Sequence, residues 1–367
     1  MNTSVLHQIL DLARWAPSGD NTQPWRFEIV DERHVVIHGR DTRDHCVYDL
    51  DGHPSQISLG ALIETLAIAA SRHSLVTSAA RRPGLPETCP TFDVTLAPSP
   101  NLLADPLISA IPRRSVQRRP LSTRELTAHE QHQLEAAVGP NHELVWAAGW
   151  RNRMRWASLL WHNAGLRLRL PEAFDTHRSI IQWHARFSDD RIPDQALGAD
   201  ALTVVLMRHA MQSWGRIEFM NKYLGGTIVP RLQMDLLPAL ACAAHVAIVA
   251  RQTPNSVDDY VAAGRAVQRF WLTATQLGLQ HQPEMTPLIF SRYVREGRRF
   301  TAQPALQALA QKLAGRLRIL LPQRADRTIW LGRVGEGAAA SARSERLALR
   351  ELVINTSDSA EIDRRKI

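Results

Sequence analysis

The sequence predicts a soluble chain of mixed helices and strands, assembled from two related units. Three observations point there. Of the 367 residues, 44% are apolar and 22% charged, an ordinary globular balance with length for roughly two to three domains. Helix-period and strand-period segments follow one another along most of the chain. A segment of the first third is also echoed 204 residues later, where Ile57-Ser58-Leu59-Gly60 aligns with Val261-Ala262-Ala263-Gly264. Without a gap, Leu66 then meets Phe270, Ile68 meets Leu272, Ala70 meets Ala274 and Leu75 meets Leu279.

A first helix over Thr3–Arg14 puts Val5, Ile9, Leu12 and Ala13 on one face. It stops at Ala16-Pro17-Ser18-Gly19-Asp20-Asn21, a dense cluster of turn residues. Strands follow over Trp25–Val30 and Val35–His38, then an apolar helix over Gln56–Leu75 and an alternating strand over Phe92–Ala97. A second unit begins near Arg113, with a helix over Thr123–Ala137 capped by Ser122 or Thr123, a strand at Leu144–Trp146 and a helix over Met154–Leu168. Residues 171–235 read as an insertion carrying Trp183, Phe187, Trp214, Phe219 and Tyr223. Such aromatic residues suit a lid or pocket wall, and equally suit packing on a larger core. Beyond it come a strand near His245–Ala250, helices over Val257–Leu279 and Pro304–Leu313, and strands at Leu317–Leu321 and Thr328–Leu331. Each echoed helix thus leads, after a loop, to an apolar strand: Phe92–Leu96 and Leu317–Leu321. The last ten residues are polar, and their composition predicts disorder.

Composition excludes several classes. No stretch approaches the ~18 apolar residues of a membrane span, and the N-terminus lacks the basic and apolar regions of a secretory signal. A cytoplasmic protein is expected. Cys46, Cys89 and Cys242 are sparse and form no C-x-x-C pair, which suits a reducing compartment. The formal charge is +8, and all but Lys222, Lys312 and Lys366 of the 44 basic residues are arginine. They are spread along the chain without a nucleic-acid-binding signature, so arginine bias is the simpler account. His129 with His132, and His177 with His184, lack a Cys/Asp/Glu complement at ligand spacing, so no metal site is expected. His281 reads as a partly exposed loop histidine, and Asp189, Asp190 and Asp235 as solvated or capping carboxylates. Serine-hydrolase and P-loop motifs are absent from the sequence.

The sharpest motif is Ala16-Pro17-Ser18-Gly19-Asp20-Asn21-Thr22-Gln23-Pro24-Trp25. Pro17 ends the helix, and the turn that follows exposes backbone N–H groups able to meet the edge of a flat polar ring. This segment resembles the Pro-Ser-x-x-Asn-x-Gln-Pro-Trp loop of the nitroreductase-like flavoproteins. Arg113-Arg114-Ser115 matches that family's phosphate-binding triplet, and guanidinium forks with a hydroxyl suit phosphate oxygens. The helix ending Gln276-Leu277-Gly278-Leu279 resembles the family's long central helix. Pro283-Glu284-Met285-Thr286 falls where the family places backbone donors near the reactive flavin nitrogen, and Leu331-Gly332-Arg333 with Arg346 resembles its C-terminal strand and basic tail.

The resemblance implies an α+β nitroreductase-like fold, an antiparallel sheet core wrapped by helices, with FMN as cofactor. In the family's homodimers, phosphate ligands and the Pro-Ser loop come from different subunits, and the triplet precedes the loop. Here the loop comes first. The order implies a tandem, pseudo-dimeric chain: a half over 1–110, a second half over 111–353 with its insertion at about 171–235, and a polar tail over 354–367. One FMN site would be complete and its counterpart eroded. Arg113, Arg114, Ser115 and Arg346 would hold the phosphate, and Pro17, Ser18, Gly19, Asn21 and Gln23 would border the ring. The segment Pro283, Glu284, Met285 and Thr286 would supply backbone donors to its edge or N5. No side chain is assigned a catalytic role. The implied activity is two-electron transfer between NAD(P)H or a small organic substrate and FMN, in a ping-pong cycle. Flavin sequestration without turnover and a specialised biosynthetic oxidase remain alternatives, and further oligomerisation stays open.

Overall fold

The computed structural model describes residues 4–354. Ser4 opens α1 (Val5–Ala13) by accepting the His7 N–H on its hydroxyl, and Leu6, Ile9, Leu10 and Ala13 turn inward. β1 (Trp25–Asp31) and β2 (His34–Gly39) form an antiparallel hairpin. The helix α2 (His53–Ser71) then crosses the core, and β3 (Leu75–Arg81) and β4 (Thr91–Pro98) pair antiparallel behind it. The second part opens with α3 (Ala128–Ala137), β5 (His142–Ala148) and α4 (Trp150–Arg167).

The inserted segment folds as short pieces: α5 (Phe174–Ile180), the two-residue strands β6 (Ile181–Gln182), β7 (Phe187–Ser188) and β8 (Ile192–Pro193), then α6 (Ala201–Ala210), α7 (Trp214–Tyr223), α8 (Ile228–Arg231) and α9 (Leu237–Leu240). β9 (Ala244–Ala250) re-enters the core, followed by α10 (Val257–Gln276), β10 (Leu279–Pro283), α11 (Thr286–Arg295), α12 (Pro304–Leu320) and β11 (Thr328–Glu336). The described residues close with β12 (Arg343–Ser344), α13 (Leu349–Leu352) and β13 (Val353–Ile354).

Two four-strand arrays share one topology. The orders are β1-β2-β4-β3 and β5-β9-β11-β10, every neighbour antiparallel. In chain order, α1-β1-β2-α2-β3-β4 corresponds to α3-β5-β9-α10-β10-β11. β13 then adds to the free edge of β1 in parallel, with Phe27 opposite Val353 and Glu28 opposite Ile354. The last described residues of the second part thereby complete the first sheet, and Leu352 is buried among Leu6, Leu10 and Phe27 of the first core.

α2 and α10 pack against each other through their glycines. A Cβ on Gly60 would strike the carbonyl of Val261, and one on Gly264 would strike the carbonyl of Ile57. Each would stand 2.9 Å from the other glycine's Cα. These contacts exchange under the 204-residue offset of the echo. Around the crossing, buried Glu64 accepts from Arg265 at 2.7 Å and Arg269 at 2.8 Å, while Gln268 donates to Thr65 Oγ1 at 2.8 Å.

Several boundaries differ from the sequence reading. Leu317–Leu321 is no strand: α12 runs on to Leu320 because Leu306, Ala310, Leu313, Ala314 and Leu317 keep one face at three-to-four spacing. The partner of β4 in the echo is therefore β11. α3 starts at Ala128, where Thr127 and Glu130 form a reciprocal capping box that neither Ser122 nor Thr123 can match. α2 ends at Ser71 and α10 at Gln276, which frees Leu75 and Leu279 to begin β3 and β10. The other expected strands and helices lie within a few residues of their stated bounds. Residues 355–367 of the polar tail lie outside the described residues.

Candidate functional site

The loop after α1 holds an uncommon backbone. Asp20, Asn21 and Gln23 have φ of 50°, 63° and 47°, and none is glycine. Left-handed conformations in such residues cost about 1–3 kcal/mol each and persist only where the surroundings hold them. The hold is visible here. Ser18 Oγ accepts the Gln23 N–H at 2.9 Å, and Thr22 donates through backbone and hydroxyl to the Gly19 carbonyl. Asn21 Nδ2 donates to the carbonyls of Asp189 (3.0 Å) and Arg191 (3.3 Å). Gln23 Nε2 reaches the Asp189 carbonyl at 2.8 Å, and its Oε1 accepts the Leu347 N–H at 3.0 Å. The loop is thus clamped by the insertion and by the C-terminal segment, while Gly19 stays exposed with open space where a Cβ would be. Pro17 and Ser18 are half-buried.

Three arginines converge behind this loop. Arg114, 3% exposed, donates to the Trp15 carbonyl at 3.0 Å and lies 4.6 Å over the Trp271 ring. Arg346, 8% exposed, donates to the Ala16 carbonyl at 2.9 Å. Arg343 donates to the carbonyls of Pro112 (2.9 Å) and Arg114 (3.5 Å) and stands 5.1 Å over the Trp15 ring. Among the described residues none of the three is ion-paired to a carboxylate, and the Nε atoms of Arg114 and Arg343 have no partner. Burial, then the charges of Arg346 and Arg343, push Arg114 well below the usual arginine range. Burial, then Arg343 and Arg14, lower Arg346 to about 9. Like charges gathered in a dry place are costly until an anion joins them. Arg113, by contrast, is exposed and bonded to the Ser109 carbonyl, and Ser115 is half-buried beside Arg114.

A second polar group lies in β9–β11 and the turn after β10. Glu284 is buried, with Oε2 2.7 Å from His245 Nδ1 and Oε1 accepting from Arg333 at 2.9 Å. His245 Nε2 lies 2.9 Å from the Ala239 carbonyl. Both ring nitrogens face acceptors, which only the doubly protonated ring can satisfy. Burial opposes that charge, but the Glu284 carboxylate and the Cys242 sulfur together overcome it and raise His245 to about 10. The backbone N–H of Glu284 is committed to the Leu331 carbonyl at 2.8 Å, and Met285 Sδ accepts from Leu331 N–H at 3.4 Å. Pro283 pairs with Gly332.

Of the residues singled out in the sequence, the fold brings Ser18, Asn21, Gln23, Arg114 and Arg346 together and leaves Arg113 on the surface. Two readings are corrected. His281 is buried in β10 between Phe270, Trp271 and Trp330, because its strand alternation turns it inward. Asp235 is no solvated cap: it pairs with Arg167 at 3.3 Å. Sequence reasoning did not single out Arg343 or His245. The one signal available was an isolated histidine in the apolar run Ala244–Ala250.

The nitroreductase family model matches residues 1–57, which span the strained loop. No curated protein matches the chain. Similar solved structures include a nitroreductase-like family protein from Bacillus cereus, 11% identical with a TM-score of 0.33 over 67% of this chain and 94% of that one. A nitroreductase with bound FMN from Bacteroides fragilis is 12% identical with a TM-score of 0.32, over 66% and 95% of the two chains. A mutant of an FMN and NADPH-dependent nitroreductase from Sphigopyxis sp. strain HMH is 14% identical with a TM-score of 0.34, over 68% and 97%.

Proposed function

We propose that the chain is an FMN-dependent oxidoreductase of the nitroreductase-like type, built as two fused halves over 1–110 and 111–353 with the flavin held between them. One observation carries the reading: Arg114 and Arg346 sit on the carbonyls of Trp15 and Ala16 at the root of the strained loop, with Arg343 on the carbonyls of Pro112 and Arg114 beside them, and no carboxylate pairs with any of the three among the described residues. The family match over residues 1–57 supports it from the sequence side. The shared strand order and the exchangeable contact of Gly60 with Gly264 support two halves arranged like protomers.

The residues fit the group. The unpartnered Nε atoms of Arg114 and Arg343 suit phosphate oxygens, and the orphaned Oδ1 of buried Asn21 suits a ring N–H. Ser115 would complete the phosphate cradle, while Pro17, Ser18, Gly19, Asn21 and Gln23 would border the ring from the other half. FMN, when bound, supplies two-electron chemistry that no side chain here offers. The protein's part is binding, orientation and electrostatics. His245 and Arg333 set two positive charges against one Glu284 carboxylate, so that wall favours negative charge arriving beside it. NAD(P)H or an organic substrate would exchange electrons at the site, with no dedicated acid or base. A second reading, flavin held without turnover, is favoured by one contact: Asn21 and Gln23 are tied to residues 188–191 of the insertion, which covers the loop.

The test is the absorbance spectrum of freshly purified protein, followed by anaerobic NADH or NADPH. About one FMN per chain that bleaches supports the reductase. Bound FMN that stays oxidised supports sequestration or an oxidase. An Arg114→Gln, Arg346→Gln protein that keeps its fold and full FMN occupancy refutes the phosphate assignment.

A further inference from the structure

We propose that the outward face of the inserted helices α6, α7 and α8 rests on an anionic lipid surface. Of the nineteen large apolar side chains exposed among the described residues, ten lie between residues 202 and 237. Single exposed apolar residues are ordinary, whereas a gathered set marks an interaction surface.

Each helix has one face on the body of the protein and another turned away from it. On α6, Thr203 is buried and Met207 packs against the cluster of Ile181, Ile192 and Leu197. Leu202, Val205 and Leu206 follow the complementary three-to-four spacing and stand outside, Leu202 at 70% exposure. On α7, the Trp214 ring meets Phe174 edge-on at 6.0 Å, and Asn221 donates to the Leu168 carbonyl at 3.4 Å. Phe219 and Tyr223, one turn apart with ring centres separated by 5.1 Å, face out. Arg231 anchors α8: its guanidinium lies 3.8 Å over the Trp161 ring and donates to the Trp161 carbonyl at 2.8 Å, while Ile228 and Val229 are left exposed. The three helices are contiguous. α6 and α7 pack together, and Arg216 donates to the His209 carbonyl at 3.3 Å across their junction. Gly225, with φ of 60°, turns the exit of α7 so closely onto α8 that a Cβ there would stand 2.9 Å from Ile228 Cδ1.

Charge selects the occupant. Residues 201–237 hold Arg208, Arg216, Lys222 and Arg231 against Glu218 and Asp235. Arg231 is engaged by Trp161 and Asp235 by Arg167, which leaves three cations and one carboxylate beside the apolar face. Arg208 faces His184, and the Lys222 ammonium stands 5.1 Å over the Tyr223 ring. Among the described residues neither of these cations nor Arg216 pairs with a carboxylate. A second copy of the chain fits worse, because a two-fold contact would bring Arg216 and Lys222 of both copies to one interface with too few acids to match them. Apolar side chains fringed by cations, with a tyrosine and a lysine at the margin, suit the boundary of an anionic bilayer. α6 and α7 have 10 residues each, about half a membrane span, so they lie on the bilayer and do not cross it. None of these side chains belongs to the arginine cradle or the strained loop, so flavin binding and lipid binding can fail separately.

The experiment floats the full-length protein with vesicles of phosphatidylcholine alone and of equal parts phosphatidylcholine and phosphatidylglycerol, and measures its mass in solution by light scattering. Flotation is expected with the anionic vesicles and should weaken as salt is raised. Leu206→Gln with Phe219→Gln should abolish it. Arg216→Gln with Lys222→Gln should weaken binding about tenfold or more. Leu103→Gln, at an exposed apolar position outside the insertion, should leave it intact. Circular dichroism checks that each variant keeps its fold. No flotation in wild type, equal flotation with neutral vesicles, or unchanged flotation of a folded Leu206→Gln, Phe219→Gln protein overturns the lipid assignment. So does a dimer in solution that the same two substitutions dissociate, which would give the face to a second copy.

Discussion

At Glu284 three charges meet where water is excluded, and one of them makes stability depend on pH. His245 titrates at about 10 in the folded chain against an ordinary value of 6.5. A raised folded pKa means the stabilisation is complete below about pH 6.5 and is lost as pH climbs through 10. The loss is at most ~1.4 kcal/mol per pH unit from this group. Urea midpoints at pH 6.5, 8 and 9.5 should fall in wild type, and fall less steeply in His245→Gln. Equal slopes would show that Glu284 does not hold a protonated ring. The loop motif was legible at this scale because Pro17, Ser18, Gly19, Asn21 and Gln23 form a rare conjunction. Arg343 was not, since one arginine in an arginine-rich chain carries no signal until its neighbours are known.

The α2–α10 crossing is where local sequence has its largest packing consequence. Gly60→Ala should cost about 1–3 kcal/mol, because its Cβ meets the Val261 backbone, which cannot step aside as a side chain could. Gly264→Ala should cost a similar amount against Ile57. Together they should cost less than the sum, since the first already separates the helices. Gly315→Ala is the control: it sits exposed in α12 with nothing near its Cβ, and should stabilise by up to ~1 kcal/mol. Thermal melts of the four variants check all of this, and additive losses would refute the shared contact. The 204-residue echo aligned the two helices that meet here without predicting their contact, and placed the second one's following strand at Leu317–Leu321. Local apolar content cannot separate a short buried strand from the last turns of an amphipathic helix.

Across the whole molecule, the C-terminal segment ties the two parts together. Leu352 is buried in the first core, β13 pairs with β1, and Arg14 donates to the carbonyls of Arg346 and Leu347. Leu352→Ala should cost about 2–5 kcal/mol. In wild type, fluorescence and circular dichroism should trace coincident urea transitions, because neither part keeps its core when the other leaves. Separate transitions would mean that the two parts fold independently. The insertion belongs to this scale too, for it supplies the carbonyls that hold Asn21 and Gln23 in their strained state.

The sequence by itself determined the first helix and its stop, the hairpin strands, the two long helices and the loop between Ala16 and Trp25. These follow from periodicity, turn chemistry and capping, which act over a few residues. Only the tertiary structure decided which arginines of a strongly basic chain are buried and unpaired. It also decided that Arg114 and Arg346, more than two hundred residues apart, share the neighbouring carbonyls of Trp15 and Ala16, that His281 lies inside, and that Asp235 pairs with Arg167. Desolvation and charge pairing depend on what surrounds a group in space, and no window of neighbouring residues carries that information.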